Sequence, residues 1–574
     1  MVFSPAYQGM KVEKLEKTIP REGPIVTLVL DGVGISKPDG KDGDAYIIAE
    51  TPVLDELTAE AKARKLFCHL KAHGSAVGLP TEDDMGNSEV GHNALGAGQI
   101  IAQGAKLVNQ LLVDSDDILK TQNWADFIEY AAKKDKSIHL FGLLSDGGIH
   151  SHFDQLTALV SKIAATGVRS VIVHPLLDGR DVPPTSGLEY IDMLEKLLED
   201  VNKAHSGFSY RIGSGGGRMH CIMDRYGSDW SMVERGFNTM VHGHIDESEL
   251  VSGYKGYYCC AKAAVEHARE LFPEKKDQYN PPFVVVDSEG KPIGMVEDGD
   301  VVININYRGD RAVEISQVFD CPETEKFPQF DRSAIRPYPK GIKYAGLLEY
   351  DSETKIPKSF LVPPPSISSV SSELICAAGL RTYAVAETHK FGHVSFFWNG
   401  NRSGLIDDKL EKYEEVVSYP NSETEKKPEM KAPEVTKKLC DAIRSGKFEN
   451  IRCNLANGDM VGHTGSLEAA VKAMEAVDAC VGEIKKAVEE TGGVLMITAD
   501  HGNAEVMMKK GKPVTSHTCN PVPFIIFDPK FAGEYELCAD SIDTPGLTNI
   551  TATFLNFLGI KAPEFYRKSL IKLL

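Results

Sequence analysis

No stretch of this sequence holds the roughly 18 uninterrupted apolar residues that a bilayer crossing requires. Its opening segment, MVFSPAYQGMKVEK, lacks the apolar core of a secretory leader. The carboxyl end reads Lys-Leu-Leu rather than the Ser-Lys-Leu peroxisomal address. A cytoplasmic protein without a membrane partner is the expectation. Positive charge is also in short supply, with 63 Lys and Arg against 82 Asp and Glu and a net charge of −19. That balance argues against nucleic acid as a partner, because polyphosphate binding draws on an excess of Lys and Arg. The 11 cysteines are an odd number without a CxxC pair, and Cys259 and Cys260 are adjacent, too close for an easy bridge. This pattern belongs to a reducing compartment with mostly buried thiols. Internal repeats and low-complexity tracts are missing, and nothing signals an oligomer, so a monomer is expected.

What the sequence does contain is 574 residues, too many for one ordinary core and enough for two large domains. Runs rich in Val and Ile at 25–30, 137–144, 170–177, 300–307, 381–386, 451–456 and 493–499 predict buried strands. Before the last of these, Ser466 is a plausible N-cap for a helix. Leu467, Ala470, Val471, Met474, Val477, Val481, Ile484 and Val488 make its apolar stripe, and Gly492 and Gly493 stop it. Alternating strands and helices imply an α/β protein with mainly parallel sheets flanked by helices. Asp407 to Lys437 is densely charged and reads as a solvated surface loop.

The chemistry-bearing residues fall just after the predicted strands. Asp31, Asp146, Asp178, Arg308, Asp459 and Asp500 all do so, where ligands bind in open α/β sheets. Asp31 (VLDG), Asp459 and His463 (NGDMVGH), Asp500 and His501 (TADHGN) and His517 (SHT) are the carboxylates and imidazoles that hold divalent metals. Two metals can clamp a phosphoryl group between attacking and leaving oxygens. Taken singly, an Asp-His pair is as well explained by a capped turn, and SHT by a polar loop. Their convergence through one fold favours metal. Ser88, in GNSEVGH, follows Gly86 and Asn87, which suit a sharp turn into a helix. Alone it is best read as an N-cap serine; beside metals it becomes the nucleophile. His92 then sits behind it, or is simply packed.

A second polar cluster lies between the early and late metal-ligand candidates. It comprises His150 and His152 (SDGGIHSH), Arg180 and Asp181 (LLDGRDVPP), Arg218 and Arg225 (GGGRMHCIMDRY), and Arg308 and Arg311 (NYRGDRA). Arg218 and Arg225 share a face if their segment is helical. Each arginine alone suits a surface salt bridge, whereas together they suggest an anion pocket. For His150 a phosphate contact is preferred to a third metal site with His152. Lys390 is positioned to reach a phosphate, unless it is a snorkelling surface lysine. If the early and late candidates share a site, the metal domain is discontinuous, at 1–102 and 363–574, with 103–362 inserted. Connections near 96–106 and 359–369 would serve as hinges.

With these motifs on the page, the chain resembles the cofactor-independent phosphoglycerate mutases of the alkaline phosphatase superfamily. DDMGNSEVGHNALGAG, SDGGIHSH, LDGRDVPP, DMVGHTG and TADHGNAE carry the likeness over nearly the whole chain. The resemblance implies interconversion of 3-phosphoglycerate and 2-phosphoglycerate, in glycolysis and gluconeogenesis, through a phosphoserine at Ser88 and without 2,3-bisphosphoglycerate. It implies one metal on Asp459, His463 and His517, and another on Asp31, Asp500, His501 and Ser88. Two manganese ions are the expected cofactors, with magnesium, cobalt or zinc as alternatives. Asp181 would be the general acid/base, with Arg180 beside it. His150, Arg218, Arg225, Arg308, Arg311 and Lys390 would bind phosphate and carboxylate. Met219, His220 and Gly309 depart from the usual motifs while the arginines remain. Competing readings are a metal-dependent phosphatase or phosphopentomutase of the same superfamily, and a catalytically silent metal-binding protein. The mutase reading expects the hinged insertion to close and exclude water.

Overall fold

The computed structural model describes residues 6–574 except 37–42, 225–226, 352–353, 366, 421–422 and 510. Its chain divides into two compact units, one formed by 1–103 and 365–574 and the other by 104–364. Each is built on its own α/β sheet.

In the first unit a seven-stranded sheet runs in the order Glu411–Val416, Thr382–Glu387, Asn450–Leu455, Ile25–Leu30, Val494–Thr498, Val522–Phe527 and Phe67–Leu70. All run in one direction except Val522–Phe527, which is antiparallel to both of its neighbours. The central Ile25–Leu30 strand is buried along its length, as expected of a strand covered on both faces. Its register pairs Leu30 with Leu455 and Val29 with Thr498, so three strands end at one level. Asp31, Asp459 and Asp500 follow those ends. The Leu467–Thr491 helix covers one face; Ser466 caps its start by accepting from the Ala469 amide, and Gly492 closes it at φ 68°. Val477, Val481, Ile484 and Val488 of its stripe are buried against the sheet.

The second unit's sheet runs Lys343–Gly346, Val301–Asn304, Ile138–Leu144, Ser170–Leu177, Ser214–Gly217, Phe283–Val285 and Tyr257–Tyr258, with Ser209–Ile212 also pairing Ser170–Leu177. All pairs are parallel except that between Ser214–Gly217 and Phe283–Val285. The protein is therefore α/β with two mainly parallel sheets flanked by helices. Among the described residues no helix is long and apolar enough to cross a membrane.

Two local expectations need correction, and one condition is not met. The charged segment 407–437 is not simply a loop: Glu411–Val416 is an edge strand whose Glu411 and Val416 are buried while Lys412 and Glu415 are exposed. One solvated flank lets an edge strand carry that charge. The 300–307 strand stops at Asn304, because the Asn304 side chain accepts from the Asn306 amide and turns the backbone out of the ladder. The segment from Arg218 to Asp224 is not helical. The amides of Arg218 and Met219 donate to Leu177 and Gln278 carbonyls on neighbouring chain, and Ile222 sits at φ 63°. Arg225 lies outside the described residues.

Candidate metal and phosphoryl-transfer site

Ser88 is the first residue of the Ser88–Ala97 helix, and Asn87, not Ser88, is its cap, accepting from the Val90 amide at 2.9 Å. The serine hydroxyl is thereby released from capping. It is buried, with Oγ 3.0 Å from His501 Nε2 and 3.4 Å from Asp31 Oδ1. The helix approaches this closely because Gly91 faces the Asp500 backbone, where a Cβ would stand 2.7 Å from the carbonyl oxygen. Lys390, in the short Thr388–Gly392 helix, is 1% exposed and is no surface lysine. Its Nζ donates to Ser88 Oγ at 2.7 Å and pairs with Asp459 at 2.7 Å and Asp31 at 3.1 Å.

Two groups of potential metal ligands form here, Asp31 with Asp500 and His501, and Asp459 with His501 and His517, each with its ligand atoms within 4.8 Å of one another. His463 extends the second. Its Nε2 is 3.1 Å from both Asp459 Oδ1 and His517 Nε2, and His517 Nε2 is 3.1 Å from the same Asp459 oxygen.

The donor chemistry tests whether a cation fits. The Nδ1 of His463 lies 2.6 Å from the Thr515 carbonyl oxygen, and that of His517 lies 2.9 Å from Gly86 O. A carbonyl only accepts, so in the neutral rings both Nδ1 atoms carry the proton and both Nε2 atoms present lone pairs. Two imidazole lone pairs and a carboxylate oxygen therefore converge, an arrangement that repels itself unless a cation sits among them. On the other side, Asp500 Oδ2 is buried and makes no hydrogen bond, since His92 Nδ1, 3.3 Å away, bonds the Ser88 carbonyl instead. Burial, and next the Asp500 charge, push the Asp31 carboxyl up to about 8 despite Lys390. Burial also works to raise Asp459, but Lys390 and His463 outweigh it and hold that carboxyl well below its ordinary range. Burial, reinforced by His501, lowers the His517 imidazole. Crowded acceptors with opposed shifts are what a divalent cation resolves, and the residues present fit one at each group.

The side chains behind these ligands were not legible as such in the sequence. Asn454 donates to Asp31 Oδ2 at 2.6 Å and lies 3.1 Å from His92 Nε2, while His92 Nδ1 bonds the Ser88 carbonyl at 2.7 Å. Asn503 donates to Asp459 Oδ1 at 2.9 Å. Asn503 was visible only as part of the DHGN motif. Asn454 alternates with the polar Asn450 and Arg452 in the Asn450–Leu455 strand, so nothing in the pattern marked it out.

Within the second unit, Asp178 organises the DGRD turn. Its Oδ1 accepts from the Arg180 and Asp181 amides at 3.1 Å and from Arg218 at 2.9 Å, and Arg218 also pairs with Asp181. Arg218 is 1% exposed, so it is no surface salt bridge, whereas Arg180 is exposed. His150 and Arg308 both pair with Asp310, at 3.4 and 3.3 Å, and Arg311 donates to the Met223 carbonyl at 2.8 Å. His152 caps the Phe153–Ala165 helix, its Nδ1 accepting from the Asp154 amide.

Comparison with known proteins agrees with the chemistry. A profile of the Metalloenzyme superfamily matches residues 23–562. The chain is 43% identical to a 2,3-bisphosphoglycerate-independent phosphoglycerate mutase of Trypanosoma brucei brucei, over 97% of this chain and 98% of that one. It is 45% identical to the enzyme of the same name from Ricinus communis, over 96% and 97%. Among solved structures, the phosphoglycerate mutase of Leishmania mexicana, crystallised at low cobalt concentration, is 42% identical, covers 98% of this chain and all (100%) of its own, and superposes with a TM-score of 0.59.

Proposed function

We infer the roles of individual side chains from the premise that this chain belongs to the 2,3-bisphosphoglycerate-independent phosphoglycerate mutases and interconverts 3-phosphoglycerate and 2-phosphoglycerate. Ser88 is the nucleophile. Entering as the alkoxide, its Oγ forms a P–O bond as the bond to the donor glycerate oxygen breaks, and Asp181, as general acid, gives its proton to that oxygen. Asp181 then takes the proton of the other glycerate hydroxyl, whose oxygen attacks the phosphoserine and breaks the Ser88 Oγ–P bond. Lys390, donating to Oγ, favours the serine alkoxide as it forms and dissipates.

Asp459, His463 and His517 would hold one divalent ion, and Asp31, Asp500 and His501 with Ser88 the other, with His501 within reach of both. Bound there, such ions supply positive charge that lowers the proton affinity of the serine hydroxyl and neutralises the phosphoryl oxygens. Mixed carboxylate and imidazole ligands suit manganese, with magnesium, cobalt or zinc as alternatives. Arg180, Arg218, Arg225, Arg308, Arg311 and His150 bind substrate phosphate and carboxylate, and Asp178 holds Arg218 and Asp181 in register. The working form is a cytoplasmic monomer that needs no 2,3-bisphosphoglycerate.

The observation that carries this reading is the Ser88 hydroxyl 3.0 Å from His501 Nε2 and 2.7 Å from Lys390 Nζ. Ser88→Ala tests it, with 3-phosphoglycerate turnover, phosphate release and manganese content measured together. Turnover is expected to fall by about three orders of magnitude or more while manganese is retained. Turnover near that of the unsubstituted protein would refute the assignment, and phosphate release exceeding isomerisation in the unsubstituted protein would mark a phosphatase instead.

A further inference from the structure

Glu505 is fully buried, at 0% exposure, yet no Lys, Arg or His pairs with it among the described residues. A buried carboxylate without a cation is costly unless donors surround it. Here four do. Oε2 accepts from the Gly34 amide at 3.0 Å and the Asn503 amide at 2.8 Å. Oε1 accepts from the Asn520 amide group at 2.9 Å and from the Thr518 hydroxyl.

Those four donors sit on the three loops that carry Asp31, Asp500 with His501, and His517. Gly34 follows Asp31, Asn503 follows His501, and Thr518 follows His517. The same loops are knit by backbone bonds, Ala504 N to Gly32 O at 2.9 Å, Thr518 N to Gly502 O at 2.9 Å and Ile35 N to Pro521 O at 2.8 Å. Asn503, anchored by its amide to Glu505, passes its side chain on to Asp459. One carboxylate thus touches the three loops that carry Asp31, Asp500 with His501, and His517, and reaches the Asp459 helix through Asn503. The space around it is closed: a Cβ on either Gly34 or Gly502 would run into the Glu505 carboxyl.

We propose that Glu505 is a positioning residue for the paired cations, clamping the three ligand loops and placing an uncompensated negative charge behind them. The proposal rests on the metal assignment above. The charge matters as well as the clamp. Asp31, Asp459, Asp500 and Glu505 are all fully buried, with Lys390 the cation seated among the aspartates. Divalent ions therefore bind into a surplus of negative charge to which Glu505 contributes. Its removal weakens ion binding even if no ligand moves.

Manganese dissociation constants, read from the electron paramagnetic resonance of free Mn2+, test this on full-length protein. Glu505→Gln removes the charge and sets an NH2 group against two donors. Glu505→Asp keeps the charge but is too short to reach both donor pairs. Each is expected to weaken Mn2+ binding by about 10- to 100-fold, a larger loss than any fall in the melting temperature of the metal-free protein accounts for. Thr518→Val together with Asn520→Ala removes two donors and leaves the carboxylate, so it carries the test if the Glu505 variants do not fold; a several-fold weakening is expected. Unaltered Mn2+ affinity in these variants overturns the proposal. So does an affinity loss that merely tracks a fall in metal-free stability. If the unsubstituted protein binds no Mn2+, the metal assignment itself fails and takes this inference with it.

Discussion

At the scale of single residues, Lys390 is the side chain whose surroundings depart furthest from its type. A lysine buried to 1% exposure beside Asp31 and Asp459 is a counter-ion to carboxylates that cations would otherwise have to neutralise. Replacing it with methionine keeps the volume and strands two buried carboxylates. In the metal-free protein Lys390→Met is expected to cost about 3–5 kcal/mol of unfolding free energy. Saturating Mn2+ should recover part of that loss, because the ions take over the neutralisation. Urea unfolding with and without Mn2+ measures both. Turnover should fall by roughly 100-fold or more whatever the stability, since a donor aimed at the reacting oxygen is gone.

At the scale of elements, the site depends on how closely a helix can approach strand ends. An added methyl at Gly91 would press on the Asp500 backbone at 2.7 Å, and at Gly32, already at φ 72°, on Asp459 Cα at 2.6 Å. Gly91→Ala is therefore expected to cost about 1–3 kcal/mol and to shift Ser88 away from His501. Lower kcat with a smaller change in KM is the expected kinetic signature. In the other sheet, a buried polar chain crosses the strands. Asp300 Oδ2 lies 3.2 Å from His139 Nε2, His139 Nδ1 lies 3.0 Å from His174 Nε2, and His174 Nδ1 lies 2.7 Å from Ser214 Oγ. Burial, with the neighbouring His139, holds the His174 imidazole well below its ordinary value, and burial pushes His242 down to about 4. Both stay neutral in the folded state, while in the unfolded chain they take up a proton below about pH 6.5. The unfolded state then binds more protons, so stability is lost as pH falls below that point. For His174 the loss is about 1.4 kcal/mol per pH unit. His174→Gln should flatten this dependence between pH 6.5 and 5, measured by denaturant unfolding across that range.

For the molecule as a whole, the two units have separate hydrophobic cores. One is built around Val26, Leu28, Val477, Ile484 and Phe524, the other around Leu140, Val173, Ile191 and Ile303. Calorimetry should resolve two transitions, and Mn2+ should raise only the one belonging to 1–103 and 365–574. An excess of about 100 times the dissociation constant adds roughly 2.7 kcal/mol per site, a shift on the order of 4 °C for a unit of this size. Chelation should reverse it without moving the other transition. Equal shifts in both transitions would place the ions elsewhere.

The sequence alone determined the α/β class, the Ser466 cap and Gly492 stop, and the placing of Asp31, Asp459 and Asp500 just beyond strands, because apolar periodicity and turn chemistry are local. Its motifs were dense enough to give the family. It misread the charged Glu411–Val416 run, whose edge position depends on neighbours the pattern cannot see, and left open the conformation of the Arg218 segment, whose amides bond to residues distant in sequence. Only the tertiary structure decided which strand ends share a level, that Lys390 is buried, that Asn87 rather than Ser88 caps the helix, and that the lone pairs of His463 and His517 face one carboxylate. Those outcomes follow from strand register and helix approach, which bring together groups hundreds of residues apart.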